Sequence, residues 1–305
     1  MKQKGYLFIL MAALCWATLG LFGDTLMNLG LIPEQIAFLR LFVGFLILTL
    51  YSLIKNQQIL KISKKGLLYA LLVGLVCQAG FNMFYFNSVK TIGVSLSTVL
   101  VYTSALFIAL FSRIIYKEKI DKIKQISLAL CFIGAFIAVT NGRLDFSSLN
   151  GFGLLLGVGA SITYSCMPII SKTALKECNS VTLIIYGFLF GAILILPIAK
   201  PMAMVNTLSN PKALIFALAL GLVTAALAYI FYLKGIDTGL DLSLVGVLAT
   251  LELVISSILG WTILSEDFSL IKLFGVCLMM LSAYIATKSE SDETLQEELI
   301  LEKSA

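Results

Sequence analysis

Ten apolar stretches of roughly twenty residues recur along this chain, each about long enough, at 1.5 Å of rise per residue, to carry a helix across a hydrocarbon layer of about 30 Å. Such stretches leave one structural option. Lipid offers no partner for a backbone N–H or C=O, so each stretch must satisfy its own hydrogen bonds as a helix. The spans read as 5 to 28, 34 to 54, 66 to 88, 94 to 114, 125 to 141, 152 to 174, 180 to 199, 212 to 233, 242 to 263 and 269 to 287. With 59% hydrophobic and 13% charged residues among 305, little is left for a water-soluble domain. Lys2 and Lys4 precede the first stretch as in a cleavable leader, but the apolar run after them is too long for one.

Charge sets the expected orientation. With the amino terminus in the cytoplasm, 16 of the 22 basic residues fall on the inner side, including those of "KISKK" at 61 to 65 and "YKEKIDKIK" at 116 to 124. Lys90, Arg143, Lys200, Lys212 and Lys272 fall outside, and Arg40 stays within the membrane. The positive-inside rule favours this arrangement over its inverse, with both termini cytoplasmic. The net charge of +5 is therefore read as a topology signal and not as a nucleic-acid surface. Cysteines 15, 77, 131, 166, 178 and 277 are scattered without a CxxC pair, so neither a disulfide framework nor a metal site is expected.

The chain also repeats itself. At an offset of 148, "GYLFILMAALCWATL" from Gly5 lies over "GLLLGVGASITYSCM" from Gly153, matching Ala12 to Ala160 and Trp16 to Tyr164. "GAFIAV" from 134 lies over "SAYIAT" from 282, and Glu118 over Glu266; between these the match drifts by one residue, "FY" at 84 lying over "FY" at 231. The expected fold is an all-α membrane protein of ten transmembrane helices arranged as two inverted five-helix repeats, 1–145 and 150–288, followed by an acidic, partly helical cytoplasmic tail, 289–305. Five is odd, so the second half must run through the bilayer opposite to the first. Inverted repeats suit a carrier, since exchanging the conformations of the halves turns a cavity from one face to the other.

The sequence resembles the drug/metabolite transporter superfamily, in particular its EamA-like ten-helix members, over residues 5 to 287. The resemblance rests on the small residues before Trp16, on Arg40 early in the second span, on Glu118, Gln125 and Gly134 in "EKIDKIKQISLALCFIGAF", and on Glu252 and Glu266 in "LATLELVISSILGWTILSE". It implies a secondary active transporter in the cytoplasmic membrane that moves small organic metabolites, amino acids or related solutes, with export as the direction. One departure stands out. The family commonly has proline directly after the ninth-span glutamate; here Leu253 follows Glu252, and the first-half equivalent is Ala105, so a less broken helix is expected.

Polar groups placed in hydrocarbon need partners and so mark the interior face. Glu252 lies about 15 Å into its span, where a cation, a hydrogen-bond donor or a proton must neutralise it, with Ser256 and Gly260 continuing its face. A structural role, in which the carboxyl holds two helices together, is the alternative. Arg40 has three readings: a snorkelling side chain, a gate partner for Asp24, or a guanidinium that attracts a solute carboxylate. Gln78, Asn82 and Tyr85 form a polar stripe at i, i+4 and i+7 in "CQAGFNMFYFN", suited either to interhelical bonds or to solute. Trp16, Tyr102, Tyr164, Tyr229 and Tyr232 fall near mid-membrane, as packing rings or as the walls of a pocket. Gly20, Gly23, Gly74, Gly157, Gly159, Gly221 and Gly246 are expected to let helices approach closely, and the GxxxG of Gly187 and Gly191 serves internal packing or a homodimer face.

Enzyme chemistry finds no footing. The chain has no histidine and no phosphate loop or dinucleotide fingerprint, so no catalytic group, cofactor or metal is expected, and the partners are a small-molecule solute, protons and membrane lipids. Two other readings are an importer of an amine or quaternary ammonium compound, with Arg40 as gate, and a lipid-linked sugar flippase or assembly subunit.

Overall fold

The computed structural model describes residues 2–143, 150–263 and 268–304. Among the described residues, ten helices are long and apolar enough to cross a membrane: Gln3–Asn28, Pro33–Lys55, Lys64–Ile92, Val94–Tyr116, Lys122–Thr140, Gly151–Ala174, Ser180–Ala199, Pro211–Asp237, Leu242–Thr262 and Leu270–Glu290. They are called the first to tenth spans below. Their starts are set locally. Ser63, Asp121, Asn150, Asn179 and Asn210 each accept a bond from a first-turn backbone N–H, which occupies donors that would otherwise lack partners. The tenth helix continues past its span to Ser304, so the acidic tail begins as its extension. Glu266 and the junction near residue 145 lie outside the described residues.

The two halves interleave. The first span packs on the eighth and ninth, the sixth on the third and fourth, the second on the seventh, and the fifth on the tenth. Exchanging spans one to five for six to ten turns this set of pairs into itself, which is what a two-fold relation between the halves requires. Inversion is visible at the helix starts. Gly5 opens the first span beside Thr238 and Leu240 at one end of the bundle, whereas Gly153 opens the sixth against Thr91 and Ile92 at the other.

Local irregularities repeat as well. The third and eighth spans carry π-helical turns at Val73–Gly80 and Leu220–Leu227. Each leads with a small-residue contact: a Cβ on Gly74 would come within 2.7 Å of the Gly187 carbonyl, and one on Gly221 within 2.5 Å of the Val43 Cβ. Gly187 and Gly191 therefore spend their missing side chains on the third span, where Gly191 also meets Gln78; the GxxxG is used inside the chain.

The ninth helix, expected to be less broken, runs as one span with a short interruption. The helix is interrupted at Thr250, and its first-half counterpart at Thr103. No proline is needed, because each threonine bends back to a carbonyl three residues earlier, Thr250 Oγ1 to Val247 at 2.7 Å and Thr103 Oγ1 to Leu100 at 2.6 Å. A third break, at Thr18, uses the same bond to Cys15. Tertiary partners hold two of these hydroxyls: Cys131 Sγ lies 3.2 Å from Thr250 and Ser161 Oγ 2.7 Å from Thr103.

Candidate functional site

Leu19, Tyr102 and Glu252, next to the breaks at Thr18, Thr103 and Thr250, reach a central cavity of about 350 Å³. At its deep end, near mid-span, stand Trp16, Tyr102, Tyr164, Tyr229, Tyr232 and Glu252. The rings are fixed against one another: Trp16 meets Tyr229 edge-on at 5.3 Å and Tyr232 at 5.1 Å, and Phe188 backs Tyr229 at 5.2 Å. Tyr164 leans on Phe81, which stacks on Tyr85. From this floor the cavity runs past Arg40 and Asn82 to Asp24, Met27, Pro33 and Phe86, at the end of the bundle that carries the turns after the first and third spans.

The opposite end is shut by bonds between the halves. Glu118 Oε1 is 2.7 Å from Lys172 Nζ, and both carboxylate oxygens accept the backbone N–H of Leu242 at the start of the ninth span, at 3.1 and 3.0 Å. Here a buried acid meets a cation and the positive end of a helix dipole. Tyr116 donates to the Ile169 carbonyl at 2.6 Å, and Lys172 sits over its ring. Lys124 pairs with Asp241 at 2.7 Å. Glu118, Tyr116 and Lys124 belong to the first half; their partners belong to the second.

Of the residues singled out from sequence, Trp16, Arg40, Asn82, Tyr102, Tyr164, Tyr229, Glu252 and Asp24 line this one cavity. Gln78 and Ser256 are not in its wall. Gln78, within the π-helical segment, accepts at Oε1 from the Tyr229 hydroxyl at 3.3 Å, and Ser256 bonds back to Leu253 of its own helix. Arg40 is only 8% exposed, which removes the snorkelling reading. No ion pair within 4 Å joins it to Asp24, whose carboxylate accepts from Asn28 instead. Glu252 accepts one long bond, 3.5 Å from the Tyr102 hydroxyl. Among the described residues no His, Cys, Asp or Glu cluster could hold a metal ion.

Some wall residues escaped the sequence reading. Thr98 precedes Tyr102 by four residues and Met167 follows Tyr164 by three, so extending each helical face one turn would have found them. Gly20 and Gly23 differ from the close-packing glycines in that a Cβ on either meets nothing within 4 Å. Their smallness keeps the cavity open. Gly20→Leu is therefore expected to fold with an unchanged melting temperature while cutting transport by an order of magnitude, about the factor that one occluded contact of 1.4 kcal/mol represents. A large loss of stability in that variant would show that Gly20 packs against a neighbour after all.

Ten helices long and apolar enough to cross a membrane, in two interleaved halves around a central cavity, have the arrangement of a membrane transporter. Residues 3–140 and 151–288 each match the EamA-like transporter family. The chain belongs to that family, within the drug/metabolite transporter superfamily, and is a multi-pass transporter and not an enzyme. It is 26% identical over 302 residues to the uncharacterized transporter YwfM of Bacillus subtilis (strain 168), covering 97% of this chain and 98% of that protein. It is 26% identical over 260 residues to the threonine/homoserine exporter RhtA of Salmonella typhimurium (strain LT2), covering 85% of this chain and 82% of RhtA. A solved crystal structure shares the fold with a TM-score of 0.77 at 18% identity, over 96% of this chain and 99% of the other.

Proposed function

We propose that this protein is a secondary carrier that exports amino acids or closely related small organic solutes across the cytoplasmic membrane by alternating access. The observation that carries the reading is a central cavity open toward one end and sealed at the other by Glu118, Tyr116 and Lys124 reaching across the two-fold relation. A seal made of hydrogen bonds and ion pairs between halves can be exchanged for another without unfolding either half. In this reading both termini are cytoplasmic, the lock faces the cytoplasm, and the structure is open outward. The two halves are the transport unit, and a monomer suffices. The relative RhtA, a threonine/homoserine exporter, supports the solute class.

Glu252 is assigned as the group that exchanges a proton for the cationic end of the solute, because it faces the cavity with only a weak protein donor. A second reading, import of an amine or quaternary ammonium compound, is favoured by the ring-walled floor and by two wall carboxylates, Asp24 and Glu252, against one guanidinium. A thermal-shift screen of the purified protein against amino acids, amines and nucleosides separates the two. Stabilisation by neutral amino acids is expected, followed by efflux of the best of them from loaded proteoliposomes. Stabilisation by amines alone would replace the export reading with the second one.

A further inference from the structure

Arg40 presents an unusual state for a charged group within a membrane span. Its side chain is nine-tenths buried, its Nε is fully buried with no hydrogen-bond partner, and no hydrogen bond or ion pair to it is found among the described residues. Yet it lines the cavity. Neither acid of the wall is paired with it: Asp24 accepts from Asn28, and Glu252, the acid that feels the Arg40 charge through space, forms no ion pair within 4 Å with it. A buried cationic donor that lacks an acceptor is costly, and the cost is relieved only when an acceptor arrives.

We infer that Arg40 is a carboxylate-receiving subsite and that the transported solute bears a single free carboxylate. This deepens the solute class proposed above and rests on that reading of the cavity. The guanidinium fork, five donors in a plane, matches a carboxylate through two parallel bonds, which a lysine in the same place would not do. The charge inventory narrows the class further. The charged residues of the wall are Arg40, Asp24 and Glu252. A phosphate monoester or a dicarboxylate would bring a second negative charge against two carboxylates, whereas a solute with one carboxylate and one cationic group finds an opposite charge for each. Arg40 lies about 10 Å below the open end and Glu252 about 15 Å above the locked one, by helix rise. The carboxylate end of the solute is thus held on the mouth side and its cationic end toward the floor.

The test uses the full-length protein in detergent, with quenching of Trp16 fluorescence in a Trp261→Phe background as the binding signal. The probes are L-threonine, its methyl ester and its alcohol, L-threoninol, together with the other neutral amino acids, L-lactate as a monocarboxylate without an amine, and their methyl esters. The wild type is expected to bind the free acid at least about thirtyfold more tightly than the ester or alcohol, the factor that a charge pair losing one partner typically costs. Arg40→Gln is expected to bind acid and ester within about twofold of each other, and Arg40→Lys to recover only part of the discrimination. Equal binding of acid and ester by the wild type, or full discrimination retained by Arg40→Gln, overturns the inference while leaving an amino-acid carrier in place. If amino acids do not bind but another monocarboxylate does and its ester does not, the amino-acid reading fails and the subsite stands. Should Arg40→Gln not fold, Arg40→Lys takes its place: reduced discrimination there supports the inference, and undiminished discrimination overturns it. A panel in which nothing binds overturns both.

Discussion

Replacing Glu118 by glutamine is expected to unlock the closed end of the bundle. The carboxylate is 7% exposed and holds two groups at once: the Lys172 ammonium at 2.7 Å and the Leu242 backbone N–H, shared between both oxygens. Glutamine keeps the volume and one acceptor but removes the charge, leaving Lys172 partly buried without its counter-ion. Breaking a buried pair from one side costs about 3–5 kcal/mol. Lys172 is about a quarter exposed, so water recovers part of this, and about 2 kcal/mol is a fairer figure. That shifts the balance between closed and open forms by roughly thirtyfold. The measurement is labelling of a cysteine placed at Ile169, 7% exposed beneath the lock, in a protein otherwise free of cysteine. A membrane-impermeant maleimide should leave it unreacted with Glu118 present and react quickly in Glu118→Gln. Net transport should fall in parallel. If labelling stays slow while the melting temperature drops, Glu118 is a structural brace and no gate. A double-mutant cycle with Lys172→Met then measures what the pair itself contributes.

Glu252→Gln is expected to remove the dependence of transport on a pH gradient while leaving solute exchange between the two sides of a liposome in place. The geometry is what separates these two outcomes. Glu252 stands in the cavity wall, no cation lies within 4 Å of its carboxylate among the described residues, and its single protein donor is the Tyr102 hydroxyl at 3.5 Å. A carboxyl that weakly held is free to take a proton or a solute cation from the cavity. Glutamine can still donate and accept hydrogen bonds but cannot carry the proton. Affinity for a cationic group should weaken by about ten- to a hundredfold, the value of one charge-assisted bond. Counterflow of labelled solute should persist at saturating concentration. Proton dependence that survives in Glu252→Gln would move the coupling group elsewhere.

Much of the wall could be read from residue type alone. Trp16, Arg40, Asn82, Tyr102, Tyr164, Tyr229 and Glu252 converge on one space, and they are legible because a ring, amide or charge in hydrocarbon has few places to go other than an interior lined by protein or water. Gln78 shows where that reasoning stops. It is as polar as Asn82, but it lies in the π-helical segment Val73–Gly80, outside the cavity wall, and its Oε1 accepts from the Tyr229 hydroxyl. Glycine shows the same limit from the other side. Gly74 and Gly20 are alike in sequence, yet one is pressed against the seventh span and the other faces open space. The lock was missed for a different reason. Lys124 and Lys172 were counted among the basic residues that set topology, and nothing in their spacing showed that Asp241 and Glu118 would stand opposite them.

The sequence by itself determined the solvent, the number of spans and the doubling of the chain. In a bilayer, hydropathy over about twenty residues is enough to force a helix, since no other backbone arrangement can satisfy its polar groups there. Tertiary structure alone decided how the faces without a polar residue pack, where the helices break, and which end is shut. Apart from the few positions that carry a polar group, every face of a span in lipid is apolar, so the helical period that would point a surface helix toward its core carries little information there. Those choices were settled by contacts between residues more than a hundred positions apart, Cys131 with Thr250, Lys124 with Asp241 and Glu118 with Leu242, which no local pattern encodes.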